Sequence, residues 1–275
     1  MSVPPLAACA AAAALYALGG RGRVGRGRKP WREASFYAGV LVVALALEPP
    51  FDTLADTSFA VHMGQHVLLL TVAPPLLVLG RPWPRMWMPF PAHARRRVAR
   101  GLARGAWAAP LRGMTRTLAR PPVALAAMSA SLAIWHLPAA YDAAVQNDWV
   151  HLAEHTSFVA TALLFWGPLL ETPPLRARVD DLRRAVWFGL ANVPGWILAI
   201  VLAYASKPLY SSYAALAHRP GGLSALGDQQ LAAGVMWVPG SLTYTICFVF
   251  FVYRWLGSDA ETPRHEPRPE ELSWT

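Results

Sequence analysis

The sequence predicts an all-α fold, a polytopic bundle of seven transmembrane helices, and three observations predict it. Of the 275 residues, 55% are hydrophobic and only 15% are charged, against about 25% charged in an ordinary soluble domain. The apolar residues come in blocks, without the period of 2 or 3.6 that marks a half-buried strand or helix. The basic residues crowd into alternate loops.

The apolar blocks run over 3–18, 34–47, 59–79, 122–137, 150–170, 185–205 and 231–251. A bilayer core takes roughly 20 residues of helix. The blocks at 3–18, 34–47 and 122–137 fall short of that, so their ends are open. No basic residue precedes the first block and a basic cluster follows it. A secretory signal has the reverse polarity, so the block reads as a retained first helix.

The charge pattern sets the orientation. Arg21, Arg23, Arg26, Arg28, Lys29 and Arg32 lie between the first two blocks. Arg81, Arg85, Arg95, Arg96, Arg97, Arg100, Arg104, Arg112, Arg116 and Arg120 lie between the third and fourth. Arg176, Arg178, Arg183 and Arg184 lie between the fifth and sixth. The intervening loops carry only Lys207 and Arg219. Basic loops stay cytoplasmic, which puts the N-terminus outside and the C-terminus inside. This placement, more than the net charge of +9, identifies the basic partner as the membrane; no nucleic acid is expected.

Residues 1–256 read as one seven-helix membrane domain with a cytoplasmic Arg-rich loop at 81–121. Residues 257–275 read as a short charged cytoplasmic tail. Within the loop, 92–108 mixes Arg with Val98, Leu102 and Trp107, the composition of a helix lying on an anionic leaflet. A solvated loop is the plainer alternative. Cys9 and Cys247 sit in apolar blocks and form no Cys-x-x-Cys pair, so neither a disulfide framework nor a thiolate metal site is implied. Pro74–Pro75, Pro194–Gly195 and Pro239–Gly240 interrupt three blocks, and proline frees a backbone carbonyl wherever it breaks a helix.

Five of the eight histidines share one level of this topology. His62 and His66 open the third span, His136 closes the fourth, and His151 and His155 open the fifth. Each pair is spaced i, i+4, a turn of about 400° and a rise of about 6 Å, so both rings leave one face of the helix. Paired neutral imidazoles suit copper, zinc, iron or nickel. Met63 and Met236 are possible soft donors, although methionine in a span is more commonly packing. Glu48, Asp52, Asp56, Asp142, Asp148, Glu154 and Asp228 collect on the same side. Glu154 and Asp228 are the acidic candidates for an accessory role, drawing in a cation or orienting a ligating imidazole. A lone interfacial histidine can simply bond a carbonyl, but ionisable groups within spans are costly and mark sites. His93, His218 and His265 fall in loops and receive no role. Residues 151–155 also match the inverted zinc-protease pattern H-x-x-E-H, but no third ligand or substrate cleft can be named, and no enzyme activity is expected.

HMGQHVLLLTVAPPLLVLG at 62–80, WHLPAAYDAAVQNDWVHLAEH at 135–155 and DQQLAAGVMW at 228–237 resemble the CtaG-type cytochrome c oxidase assembly family of multispan bacterial membrane proteins. The resemblance runs from about the second span to the last. It implies a role in maturing a haem–copper oxidase by supplying copper, as Cu(I), with zinc or haem as lesser alternatives. It also implies oxidase subunits as partners, with a periplasmic copper chaperone as another, and residence in the bacterial inner membrane with the metal site facing the periplasm. Two other functions remain open from the residues: a transporter of a metal ion or small solute, and a haem-binding membrane protein. A transporter needs polar groups through the full depth of the bilayer, where only Thr161, Asn192 and Thr245 are scattered in the cytoplasmic half.

Overall fold

The computed structural model describes residues 3–20, 29–172 and 179–260, and it contains only helices and their connections there. The basic residues at 21–28, Arg176, Arg178 and the tail from 261 onward lie outside the described residues. In chain order the helices are α1 (Val3–Leu18), α2 (Pro30–Leu47), α3 (Phe51–Ala55), α4 (Phe59–Val67), α5 (Ala73–Leu79), α6 (Pro82–Met86) and α7 (Ala92–Arg104). Then follow α8 (Ala109–Leu118), α9 (Pro121–Trp135), α10 (Pro138–Gln146), α11 (Asp148–Leu169), α12 (Asp181–Tyr204), α13 (Ser211–Ala214) and α14 (Ala225–Ala260).

Each predicted apolar block is helical, but not every one stands alone as a span. Among the described residues, three helices are long and apolar enough to cross a membrane: Phe59–Leu79, Asp181–Tyr204 and Ala225–Ser258. A fourth appears if 106–118 and Pro121–Trp135, bent by 82° at their junction, are taken together. α11 has the length, at 22 residues, but its charged opening turns dilute its hydropathy. α1, α2 and α9 are short, as expected from their blocks.

α11 is the spine of the bundle. Phe158, Ala162, Phe165, Trp166 and Leu169 are fully or almost fully buried, the i, i+4, i+7, i+8 stripe of a core-facing helix. α9 meets it with Ala124, Met128 and Leu132, and α12 lies along α14. The outward faces are also apolar: Ile197, Leu242, Val249 and Phe250 are more than half exposed. A continuous apolar exterior on a packed bundle is a surface for lipid or partner helices.

α4 and α5 form one span through a π-turn at Leu68–Val72. Pro74 has no N–H for the carbonyl of Leu70, and the indole of Trp166 donates to that oxygen instead, at 3.1 Å. The breaker thus locks the third span onto α11. At the far end of α5, Gly80 allows α2 to approach closely. Any Cβ there would meet Phe36 Cβ at 2.5 Å. α12 and α14 run through Pro194 and Pro239 without a break.

After α6, the rest of the Arg-rich segment forms two α-helices, α7 and α8, and neither buries a residue. Arg112 holds them together by donating to Leu102 O at 3.0 Å and Gly105 O at 2.8 Å, capping the end of α7.

Candidate metal centre

The N-terminal turns of α4 and α11 and the C-terminal end of α9 meet at one end of the bundle. Two caps fix the turns that carry the histidines. Asn147 Oδ1 accepts from Trp149 N at 2.9 Å and Val150 N at 3.3 Å, starting α11 just before His151. Asp228, in the first turn of α14, caps α4. It accepts from Phe59 N at 2.7 Å, Ala60 N at 3.1 Å and Ser58 Oγ at 2.9 Å. A carboxylate is favoured there by both the orphan amides and the helix dipole. Both oxygens of Asp228, an accessory candidate from the sequence, accept from these two amides and the Ser58 hydroxyl.

His62, His66, His155 and Glu154 form one group, each offering a donor atom, and these atoms all lie within 4.8 Å of one another. All four are buried, at 0–6% exposure. His62 Nε2 and His66 Nε2 face each other at 3.0 Å. Two imidazole nitrogens bound at about 2.0–2.1 Å to one tetrahedral ion would stand roughly 3.3 Å apart. His66 Nε2 is 3.5 Å from Glu154 Oε1, and neither Glu154 oxygen has a hydrogen-bond partner among the described residues. His66 Nδ1 and His155 Nε2 are likewise buried without a partner. A buried carboxylate with no donor is expensive, and a cation among these atoms would offset that cost. The donor set fits a metal ion of the borderline class, three nitrogens and one oxygen.

A tyrosine fixes one of the rings. Tyr213 Oη donates to Ala55 O at 2.5 Å, which uses its only hydrogen. Its contact with His62 Nδ1 at 2.9 Å therefore has the imidazole as donor. That leaves Nε2 of His62 as the free base, aimed into the group, the usual work of an outer-shell partner.

The other sequence candidates lie around this group. His151 stacks on His62 with ring centroids 5.1 Å apart and lies 4.2 Å from the ring of His155. It is the partly exposed member. His136 lies 5.5 Å, ring to ring, from His66, and its Nε2 faces Met63 Sδ at 3.3 Å. Met236 is elsewhere, lining a small cavity of about 50 Å³ with Thr71, Met128, Asn192 and Tyr244. The acidic residues divide. Asp142 accepts from Ser211 Oγ at 2.6 Å and Ser212 N at 3.0 Å, which ties α13 to α10. Partial burial raises its pKa, but these bonds outweigh it and hold the carboxyl below its ordinary range. Asp56 moves the other way, pushed up by partial burial and then by Asp52, with His151 opposing. His93 lies in α7, His218 is in a connection, and His265 is outside the described residues.

The tyrosines were not foreseen. Tyr213 orients His62, Tyr210 Oη donates to His136 O at 3.0 Å, and Tyr141 packs against both Tyr210 and the His62 ring. Nothing in the sequence pattern places 210–213 beside residues 150 positions earlier. The only signal was three tyrosines in loops flanking the histidine level.

The family model described as cytochrome c oxidase caa3 assembly factor matches residues 14–258. Among curated proteins, Mb0105 of Mycobacterium bovis and MT0111 of Mycobacterium tuberculosis are each 25% identical over 211 residues, covering 76% of this chain. The matched region is 32% of each relative, so the chain spans about a third of their length. No solved structure matches the chain.

Proposed function

Because the chain belongs to the cytochrome c oxidase caa3 assembly factor family, we propose that it binds copper in the buried histidine–glutamate group and supplies it to the haem–copper oxidase. The observation that carries this reading is the convergence of donor atoms from His62, His66, Glu154 and His155, with both Glu154 oxygens and His155 Nε2 unpartnered among the described residues. Imidazole nitrogens suit copper, and a cation would satisfy the unpartnered carboxyl. The role is binding and transfer, without turnover of a substrate.

In this reading α1, α2, α4–α5, α9, α11, α12 and α14 are seven membrane passages of one domain over 1–256. The Arg-rich segment at 81–121 and the tail at 257–275 are cytoplasmic. The N-terminus is outside, and the metal group lies at the periplasmic face of the bacterial inner membrane. The alternating basic loops support this orientation. Oxidase subunits receive the ion, and a periplasmic copper chaperone is a fitting donor.

A transporter is the second reading, and one observation favours it. The small cavity under the histidines is lined by Thr71, Ser129, Asn192 and Tyr244, and Asn192 Oδ1 is buried there without a partner. A haem would need one axial imidazole from α4 and one from α11, and an absorption spectrum separates it from copper. Purified protein tests the copper reading. Elemental analysis after copper exposure should find bound copper, lost in a His66→Ala/His155→Ala variant, with no Soret band. Absence of copper, or a Soret band from bound haem, would contradict it.

A further inference from the structure

His136 and Met63 make a pair that hydrogen bonding does not explain. His136 Nδ1 lies 2.8 Å from Leu132 O. A carbonyl can only accept, so Nδ1 carries the hydrogen. In the neutral ring Nε2 is then the free base, and it points at Met63 Sδ, 3.3 Å away. A thioether sulfur also offers only lone pairs. Two acceptors therefore face each other, in side chains 6% and 0% exposed. A doubly protonated ring would restore a donor but would bury a cation whose hydrogen-bond partners are one carbonyl and one thioether, with no carboxylate. The ring is held in place: Tyr210 Oη donates to the His136 carbonyl at 3.0 Å, and Phe158 lies beside it with ring centroids 6.3 Å apart.

We propose that Met63 and His136 form a second, soft-metal position that takes Cu(I) through one sulfur and one imidazole nitrogen, beside the His62–His66–His155–Glu154 group. This rests on the copper reading above and divides its site in two. A thioether donor selects Cu(I), whereas the neighbouring group takes Cu(I) through its imidazoles and, with its carboxylate, also accepts a borderline divalent ion. Sulfur and nitrogen donors at about 2.3 and 2.0–2.1 Å from one ion, at a tetrahedral angle, stand roughly 3.6 Å apart. The observed 3.3 Å needs only a small opening. The His136 and His66 rings are 5.5 Å apart, close enough for two neighbouring positions and for an ion to pass between them.

The test uses the full chain in detergent, titrated anaerobically with Cu(I) against a chromophoric chelator and separately with Co(II), followed by X-ray absorption at the copper edge. Wild type should take two equivalents of Cu(I), with a sulfur shell amounting to one thioether per two copper ions, and one equivalent of Co(II) with tetrahedral visible bands. Met63→Leu should fall to one equivalent of Cu(I) and lose the sulfur shell while keeping Co(II) binding, which also reports that it folds. If Met63→Leu loses Co(II) as well, selenomethionine-labelled wild type replaces it, and a copper–selenium shell supports the proposal while its absence refutes it. Two retained Cu(I) equivalents in Met63→Leu, or no sulfur shell in wild type, would overturn the second position. So would a single equivalent of Cu(I) bearing both sulfur and several nitrogens, and that result would leave the copper function standing. Wild type that takes neither ion would remove both readings.

Discussion

Glu154 Oε1 stands 3.5 Å from His66 Nε2, joining α11 to α4 inside the bundle with both side chains fully buried. Neither carboxylate oxygen has a hydrogen-bond partner among the described residues, so the group costs folding free energy when no cation is near. Glu154→Gln should separate the two consequences. It replaces the buried, unpartnered carboxyl at constant size, so the apo protein should melt no lower than wild type, and metal affinity should drop at least tenfold. Thermal unfolding with and without added copper checks both. A large loss of apo stability would mean that the carboxylate is structural.

Tyr213 is expected to act through His62. Tyr213→Phe keeps the ring but removes the hydroxyl that receives His62 Nδ1–H, freeing the imidazole to change tautomer or turn. Outer-shell changes of this kind typically cost about 10–100-fold in metal affinity. Competition with a chelator of known affinity measures this, and an unchanged affinity would show that His62 is held by packing alone.

Asp228 should behave as a helix anchor. Asp228→Asn leaves one acceptor oxygen where three donors now converge, and loss of a good N-cap costs about 0.5–2 kcal/mol. Stability should fall by that order in unfolding measurements, while the number of metal ions bound stays at the wild-type value. A lost ion with unchanged stability would return Asp228 to the metal group.

Topology is tested by labelling. Val145, in α10, and Arg100, in α7, are both exposed, so a cysteine at either is reachable from its own side. An impermeant thiol reagent applied to intact cells should label a cysteine at 145 and not at 100. Labelling at 100 would invert the orientation and move the metal group to the cytoplasmic face.

Much of this arrangement was legible in residue spacing. The i, i+4 pairs and the charge alternation placed His62, His66, His136, His151 and His155 at one level because both signals are local and periodic. Helix positions followed from block boundaries for the same reason. What spacing could not supply was pairing across the bundle. The H-x-x-E-H pattern exposed Glu154, but its approach to His66 depends on how α4 and α11 rotate about their axes. Asp228 carried the right chemistry for an accessory role, and only the position of α14 reveals that α4's amides bond to it. Tyr213 is 151 residues from His62 in sequence and reaches it through a four-residue helix that has no apolar rhythm of its own. The Pro74 breaker was visible, but its consequence, a carbonyl taken by Trp166, required the third dimension.

Delivery of copper from the buried group to the oxidase is read out by oxidase activity in cells carrying His66→Ala/His155→Ala. Oxidase activity and the copper content of the purified oxidase should fall while oxidase polypeptides, the level of the variant protein and total cell copper stay near wild type. Added external copper should restore part of the activity, because a weakened site refills at higher free ion concentration. Cell copper changing in step with the mutation would indicate transport instead. Full oxidase activity with the double variant present at wild-type levels would contradict the account.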